Sequence, residues 1–106
     1  MNSISITELL MLSNRNIIDI RNNYYYNFGH IIGAINIPYY DLLTNHSHYL
    51  NKYSIYYLYC DTGDQSKEIS IRLNSFGYKT INIVGGYEEY LRIFNHWQES
   101  NSCLFS

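Results

Sequence analysis

The order of apolar and polar positions along the chain predicts short strands that alternate with helices. Runs of β-branched and aromatic residues predict four buried strands: Ile17–Ile20, Ala34–Ile37, Ile55–Tyr59 and Thr80–Val84. Apolar residues at helical spacing predict three helices: Ser5 to Leu12, Ser66 to Phe76, and Tyr87 to Phe94. Asn22–Phe28 is expected to be irregular or one helical turn, and Tyr40–Leu43 to be a helical turn. This alternation indicates an α/β domain in which helices cover both faces of a parallel sheet.

Local signals support the predicted helix ends. Ser5 and Glu8 have the spacing of a capping box, in which each side chain binds the backbone amide of the other residue. Ser66 is predicted to be the N-cap of the central helix, and Glu68 then lies in the first turn, where a negative charge suits the helix dipole. Gly77 follows this helix as its C′ residue.

A cysteine stands where the third predicted strand ends. Cys60 follows Ile55–Tyr59, and the short loop from Cys60 to Gln65, with Gly63 at its middle, leads into a helix. A loop this short must curl, so successive N–H groups can point inward as an anion nest beside the helix N-terminus. Such a site favours the thiolate, the nucleophilic form of cysteine. The alternative is an inert buried cysteine, which is common in proteins, but the strand–Cys–loop–helix context favours the reactive thiol.

Composition and charge narrow the classes of function. The chain has 106 residues, 46% of them hydrophobic, which is enough for one domain with its own core. The formal net charge is −2 and no Lys/Arg cluster occurs, so neither a nucleic-acid groove nor a nucleic-acid partner is expected. Membrane association is not expected either, because no apolar run approaches the roughly 20 residues of a span. The two cysteines, Cys60 and Cys103, do not make a disulfide framework, and the sequence lacks a signal-peptide pattern, so the expected location is the cytoplasm.

Several segments, in order, resemble the single-domain rhodaneses. Ile18 to Arg21 is similar to the family's "DVR" strand end, and Gly29 to Pro38 matches its "GHIxGAxNIP" segment. Tyr59 to Ser66 matches the active loop "YCxxGxxS". Phe76-Gly77-Tyr78 and Val84 to Tyr87 match the helix end "GF/GY" and the "GGxxxW" segment, although the chain offers Tyr87 and Tyr90 in place of the usual Trp. The resemblance covers roughly residues 5 to 94.

This resemblance implies a fold, a reaction and a set of site residues. The fold is a parallel sheet of about five strands in a rhodanese-like domain, assigned to residues 1–97, with a loose C-terminal tail at 98–106. The reaction is sulfur transfer through a persulfide on Cys60. The implied cradle consists of the backbone amides along the loop, and its residues are Asp61, Thr62, Gly63, Asp64, Gln65 and Ser66. Asp19, Arg21 and His30 are expected to hold structure near the site. No cofactor or metal is implied.

The loop departs from the family in its charge. Rhodanese loops often carry Arg directly after the cysteine and again five residues after it, whereas this chain has Asp61 and Gln65 there. Asp64 adds a second carboxylate, and Lys67 is the one nearby cation in the sequence. Two acids disfavour the thiolate and repel a dianion such as thiosulfate. We therefore expect sulfane sulfur to come from thiosulfate or a persulfide, with weak thiosulfate activity and a persulfide of a protein or small thiol as the natural donor. The acceptor is a thiol or cyanide. The alternative is a non-enzymatic persulfide carrier or partner-binding module.

Three other chemistries are less favoured. A Cys-x5-Arg phosphatase needs an Arg six positions after the cysteine, and that position is Ser66. His46 and His48 could ligate a metal, but no third ligand has a suggestive spacing. Cys103 could act as a resolving thiol for a Cys60 persulfide, although nothing in the sequence fixes its distance.

Overall fold

The computed structural model describes residues 2–105, and it describes side chains over residues 2–95. Its five strands are β1 Ser3–Ile4, β2 Asn16–Asp19, β3 Ile35–Asn36, β4 Ile55–Tyr59 and β5 Lys79–Ile83. Its helices are α1 Ile6–Leu10, α2 Asn23–Phe28, α3 Tyr39–Thr44, α4 His46–Tyr49, α5 Asp64–Ser75 and α6 Gly86–Phe105. The elements follow the alternation that the hydrophobic pattern predicts.

The five strands form one sheet in the order β1-β5-β4-β2-β3, and every pairing is parallel. β4 lies at the centre, between β2 and β5. Because all strands run the same way, the loops that follow β2, β4 and β5 meet at one edge of the sheet. Ligand sites of open parallel sheets form at this edge, and Cys60 lies there.

Helices cover both faces of the sheet, as predicted. Alternate residues of β4 point to opposite faces, since side chains along a strand alternate. Tyr56 and Leu58 pack with Ile69 and Leu73 of α5 in one core cluster. Tyr57 and Tyr59 belong to a second cluster, whose members come from both ends of the chain and include Ile6, Leu9, Tyr87 and Tyr90. Burial on both faces explains why β4 is an unbroken apolar and aromatic run.

The predicted boundaries of several elements agree with the structure. The capping box is present, because the Glu8 amide donates to Ser5 Oγ at 3.1 Å and the Ser5 amide donates to the Glu8 carboxylate at 3.3 Å. β4 has the predicted bounds, Ile55–Tyr59. Gly77 follows the end of α5 and has the positive φ of a C′ residue, +98°.

The predicted start of the central helix is wrong. α5 begins at Asp64, and its N-cap is Gly63 in a left-handed conformation, so Ser66 is a buried residue of the first turn. Asp64, and not Glu68, is the acidic residue of that turn. The physical reason is that Gly63 has no Cβ and adopts φ +106°, which lets the helix begin three residues earlier.

Other elements differ from the expectation in extent. β1 and α4 were not predicted as separate elements; both are four residues or shorter and carry little periodicity. α6 extends well beyond the predicted Tyr87–Phe94. The division of the chain into residues 1–97 and a tail at 98–106 stays a prediction, and Cys103 lies outside the residues whose side chains are described.

Candidate active site

The Cys60 sulfur lies in a small cradle of hydrogen-bond donors. Sγ is 3.2 Å from the Gly63 amide nitrogen and 3.4 Å from the Ser66 amide nitrogen. In the opposite direction, the Cys60 thiol donates to the Ser66 hydroxyl oxygen at 3.5 Å. The Cys60 side chain is buried, with 4% of the residue exposed. Donors fixed around a sulfur that is shielded from water can stabilise a negative charge on it.

Two of the six loop residues predicted for the cradle contact the sulfur directly. The amides of Gly63 and Ser66 do so because the chain turns sharply at Gly63 and then enters the first turn of α5. The described structure gives no hydrogen bond to Sγ from the other four residues, which are exposed: Asp61, Thr62, Asp64 and Gln65.

The first turn of α6 holds the backbone of the loop. The Tyr87 amide donates to the Cys60 carbonyl at 2.9 Å, and the Glu88 amide donates to the Asp61 carbonyl at 3.0 Å. A Cβ on Gly86 would lie 2.3 Å from the Cys60 carbonyl oxygen, so only glycine allows this approach. The glycine pair of the family motif therefore lets the start of α6 approach the carbonyl oxygens of the Cys60 loop closely enough to bind them.

A buried polar network supports the loop from beneath. Arg21 pairs with Asp19 through Nη2 at 2.7 Å and Nε at 3.0 Å, and the Tyr59 hydroxyl donates to the same carboxylate at 2.6 Å. Burial alone would lower the pKa of Arg21, but the hydrogen bonds and the charge of Asp19 raise it above its usual value. Burial, followed by the bond to Asp19, raises the pKa of Tyr59. Arg21 therefore stays charged and Tyr59 stays neutral near neutral pH, and the contacts between them fit the structural roles expected for Asp19 and Arg21.

Arg21 also connects three parts of the site. It donates to the Gly29 carbonyl at 2.7 Å, reaches the Asp61 carboxylate at 3.5 Å, and lies 4.2 Å from the centre of the Tyr87 ring. His30, next to Gly29, is exposed; its Nδ1 is 2.9 Å from the Tyr26 carbonyl and its ring stacks on Tyr26. This contact fits the turn role predicted for His30.

A groove of about 340 Å³ opens beside the active loop. Its walls include Arg21, Tyr25, Tyr39, Tyr40, Asp61 and Gln65. The side chain of Asp61 is 61% exposed, and Asp64 and Lys67 are exposed on the neighbouring turn. Arg21 is neutralised by buried Asp19, so the charge that the loop presents to solvent is mainly negative.

One buried contact of the site was missed by sequence reasoning. The Ser66 hydroxyl lies 2.5 Å from Oδ1 of Asn82, a residue of β5 with 4% exposure. An available signal was the polar side chain of Asn82 inside a strand, between Ile81 and Ile83, because buried polar groups in strands need partners.

The other candidates from the sequence have separate surroundings. His46 Nδ1 lies 2.9 Å from the Tyr78 hydroxyl, and its ring stacks on Phe76. Among the residues described, no three His, Cys, Asp or Glu side chains cluster closely enough to hold a metal. Within the same part of the chain, no helix is long and apolar enough to cross a membrane.

Comparison with known proteins places this geometry in a family. The sequence matches the rhodanese-like domain family over residues 5–93, most of the chain. The chain belongs to the rhodanese-like domain family. The match includes β2, the Gly29–Pro38 segment, the Cys60 loop and the start of α6.

Solved structures agree with this assignment. A rhodanese-like domain protein from Staphylococcus aureus is 30% identical with a TM-score of 0.75, covering 85% of this chain and 91% of its own. A protein from Staphylococcus saprophyticus is 31% identical with a TM-score of 0.76, over 85% and 93% of the two chains. A human single-domain sulfurtransferase shares the fold at 23% identity and a TM-score of 0.74, over 87% and 96%. Among curated protein sequences there is no match.

Proposed function

We propose that this rhodanese-like domain is a sulfurtransferase that carries sulfane sulfur as a persulfide on Cys60. The observation that carries the proposal is the pair of amide donors, Gly63 and Ser66, at 3.2 and 3.4 Å from Sγ. A cysteine that served packing alone would not need converging amides on its sulfur. Donors in this position can stabilise the thiolate and the persulfide anion that replaces it.

The reaction consists of two displacements at sulfur. The Cys60 thiolate attacks the outer sulfur of the donor, the new S–S bond forms, and the donor's S–S bond breaks. Its electron pair leaves with a thiolate or, from thiosulfate, with sulfite. A thiolate or cyanide acceptor then attacks the outer sulfur of the persulfide and releases the Cys60 thiolate. Electrons balance within each step, so this ping-pong scheme requires no cofactor.

The exposed loop residues would meet the donor and acceptor. Asp61, Thr62, Asp64 and Gln65 lie at the mouth of the cradle and are exposed. Their two carboxylates would repel thiosulfate, which carries two negative charges, more than a persulfide that carries one. The proposed donor is therefore a protein or small-molecule persulfide. A reducing compartment such as the cytosol would keep Cys60 available between turnovers.

A specific observation favours a second candidate function. Tyr25 and Tyr40, 53% and 76% exposed, line the groove beside the loop, next to Asp61. Exposed aromatic side chains are typical of surfaces that bind another protein. In this alternative the domain docks on a partner and carries its persulfide, and it turns over slowly with small molecules alone.

Intact-mass spectrometry of the reduced protein tests both candidates. The protein is incubated separately with thiosulfate and with a small persulfide, and the mass is measured before and after addition of cyanide or a thiol. We expect a gain of one sulfur atom that the acceptor removes. The gain should be absent in Cys60→Ser and retained in Cys103→Ser, which is the matched control because it removes the other thiol.

The outcomes separate the two functions. Repeated turnover with small donors and acceptors supports the enzyme, whereas one stable sulfur per chain with slow discharge supports the carrier. A folded and reduced protein that gains no sulfur from either donor contradicts both. Faster loading from thiosulfate than from the persulfide contradicts the proposed donor.

A further inference from the structure

A row of buried polar contacts joins α5 to β5. Ser66 contacts Asn82 at 2.5 Å, Ser70 Oγ lies 2.7 Å from Thr80 Oγ1, and Asn74 Oδ1 accepts from the Thr80 amide at 2.8 Å. The helix residues are four apart and the strand residues two apart, so these contacts follow one line along the interface. The Ser66–Asn82 contact is the member of the row at the active loop.

The Ser66 hydroxyl lies near three groups that could accept a hydrogen bond, but it has only one proton to donate. Its oxygen lies 2.5 Å from Asn82 Oδ1, 3.2 Å from the Gly63 carbonyl oxygen and 3.5 Å from Cys60 Sγ. A hydroxyl donates one hydrogen bond and accepts others through its lone pairs. Because the amide oxygen is much the closest acceptor, the proton lies on the line to Asn82, and a lone pair faces the sulfur.

We propose that Asn82 is a positioning residue, which holds the Ser66 hydroxyl proton away from Cys60. In this arrangement the Cys60 thiol donates to Ser66, and Ser66 donates to Asn82. When Cys60 ionises, its sulfur can no longer donate to Ser66. As long as the hydroxyl proton stays directed at Asn82, the thiolate accepts hydrogen bonds from the amides of Gly63 and Ser66 alone. Asn82 thus sets the balance between the resting thiol and the attacking thiolate. The inference rests on the proposed use of Cys60 as a nucleophile.

Charged groups also lie on the elements around Cys60. Arg21 lies after β2, Asp61 in the loop, Asp64 and Lys67 in the first turn of α5, and Glu88 in the first turn of α6. None of them is altered by a neutral substitution at Asn82. A change in the ionisation of Cys60 after such a substitution therefore reports on the hydroxyl.

The test is the pH dependence of Cys60 alkylation by iodoacetamide, a neutral reagent, followed by intact mass in a Cys103→Ser background. Asn82→Leu removes the acceptor with little change in volume and frees the Ser66 hydroxyl to donate to the thiolate. We expect the pH of half-maximal alkylation rate to fall by about one unit, the effect of one hydrogen bond to a charged group. Asn82→Ala should move it in the same direction, which covers the case in which leucine does not fit.

Two controls separate positioning from a general structural effect. In a Ser66→Ala background, Asn82→Leu should leave the alkylation profile unchanged, because no hydroxyl remains to be redirected. Thr80→Val disrupts the neighbouring contacts of the same row, with Ser70 and Asn74, and should lower stability without moving the profile.

The inference is overturned by an unchanged profile in folded Asn82→Leu and Asn82→Ala, or by an equal shift in the Ser66→Ala background. A shift to higher pH also overturns it, because Asn82 would then be helping Ser66 to hold the thiolate. Alkylation does not require sulfur transfer. A failed sulfur-loading experiment with a shifted alkylation profile would therefore refute the proposed function and leave the role of Asn82 standing.

Discussion

Two loops at the same edge of the sheet serve Cys60 in different ways. The loop after β4 carries the cysteine and curls around its sulfur, so that the amides of Gly63 and Ser66 point at the reacting atom. The loop after β5, with Gly85 and Gly86, does not contact the sulfur; the helix that begins there binds the carbonyl oxygens of Cys60 and Asp61. One loop supplies donors to the reacting atom, and the other fixes the orientation of the first.

Each loop depends on a glycine, for different reasons. Gly63 has φ +106°, and a Cβ there would lie 3.1 Å from the Gly85 amide nitrogen. Gly86 has φ +58°, which side chains tolerate better, but its Cβ would overlap the Cys60 carbonyl oxygen at 2.3 Å. Gly63 is therefore needed mainly for backbone conformation, and Gly86 mainly for close approach. The comparison predicts different consequences when each is replaced.

Gly86→Ala is expected to have the largest effect on stability. Its Cβ would meet two backbone carbonyl groups, and backbone cannot move aside as the end of a side chain can. We expect the free energy of unfolding to fall by about 2–4 kcal/mol, the range of severe single substitutions. Urea denaturation followed by circular dichroism measures this loss.

The matched control for Gly86 is Gly33→Ala. Gly33 also has a positive φ, +87°, but a Cβ there would meet nothing within 4 Å. Gly33→Ala should lower the free energy of unfolding by about 1–2 kcal/mol, which is the conformational penalty of a positive φ alone. Equal losses in the two variants would contradict the view that close approach to the Cys60 carbonyl makes Gly86 necessary.

Gly63→Ala is expected to lower the free energy of unfolding less than Gly86→Ala does, and its main effect is expected on the rate at which Cys60 reacts. The strained conformation should lower the free energy of unfolding by about 1–2 kcal/mol. The shift of the Gly63 amide, which donates to Sγ, should slow persulfide formation about tenfold, the effect of weakening one preorganised donor. The rate of persulfide formation is measured by stopping the loading reaction at set times and determining the intact mass of the protein.

Gly77→Ala is the control for that substitution. Gly77 has a similar φ, +98°, and follows the other end of α5, where the nearest atoms to its Cβ would be those of the flexible Lys52 side chain, at 3.4 Å. It should lose comparable stability and keep the loading rate. If the Gly77→Ala variant also formed the persulfide slowly, the stability of α5, and not the amide at Gly63, would determine the loading rate.

The pattern of the sequence was sufficient for the framework of the two loops. Alternating apolar runs located β4 and β5 within one residue, and the position of Cys60 after a buried strand indicated the edge of the sheet at which it lies. The family resemblance added the fifth strand. These features follow from local periodicity, or from motifs whose residues adjoin in the chain.

Contacts between distant residues were beyond that reasoning. The start of α5 was placed at Ser66 because serine is a good N-cap, yet Ser66 is buried against Asn82, sixteen residues away. The demand for glycine at position 86 arises from a carbonyl at position 60. The number of amides that reach Sγ depended on where α5 begins. Propensity describes a residue's preference in isolation, and each of these outcomes was decided by tertiary packing.

The smallest expected effect concerns the charge at the mouth of the first loop. Asp61→Asn removes a carboxylate that is 61% exposed and touches Arg21 at 3.5 Å, and it keeps the shape of the side chain. At low ionic strength, loading of Cys60 by thiosulfate should become about threefold faster, as expected for one partly screened charge acting on a dianion. The gain should shrink in about 0.5 M salt, where charges are screened within a few ångströms. Alkylation of Cys60 by iodoacetamide, a neutral reagent, is the internal control and should gain less, because only the effect of the carboxylate on the cysteine remains. If the variant gained equally with both reagents, the carboxylate would be acting on the cysteine and not on the donor. The acidic residues that replace the usual arginines of rhodanese loops would then change the reactivity of Cys60 itself. The proposed preference for a persulfide over thiosulfate would need another cause.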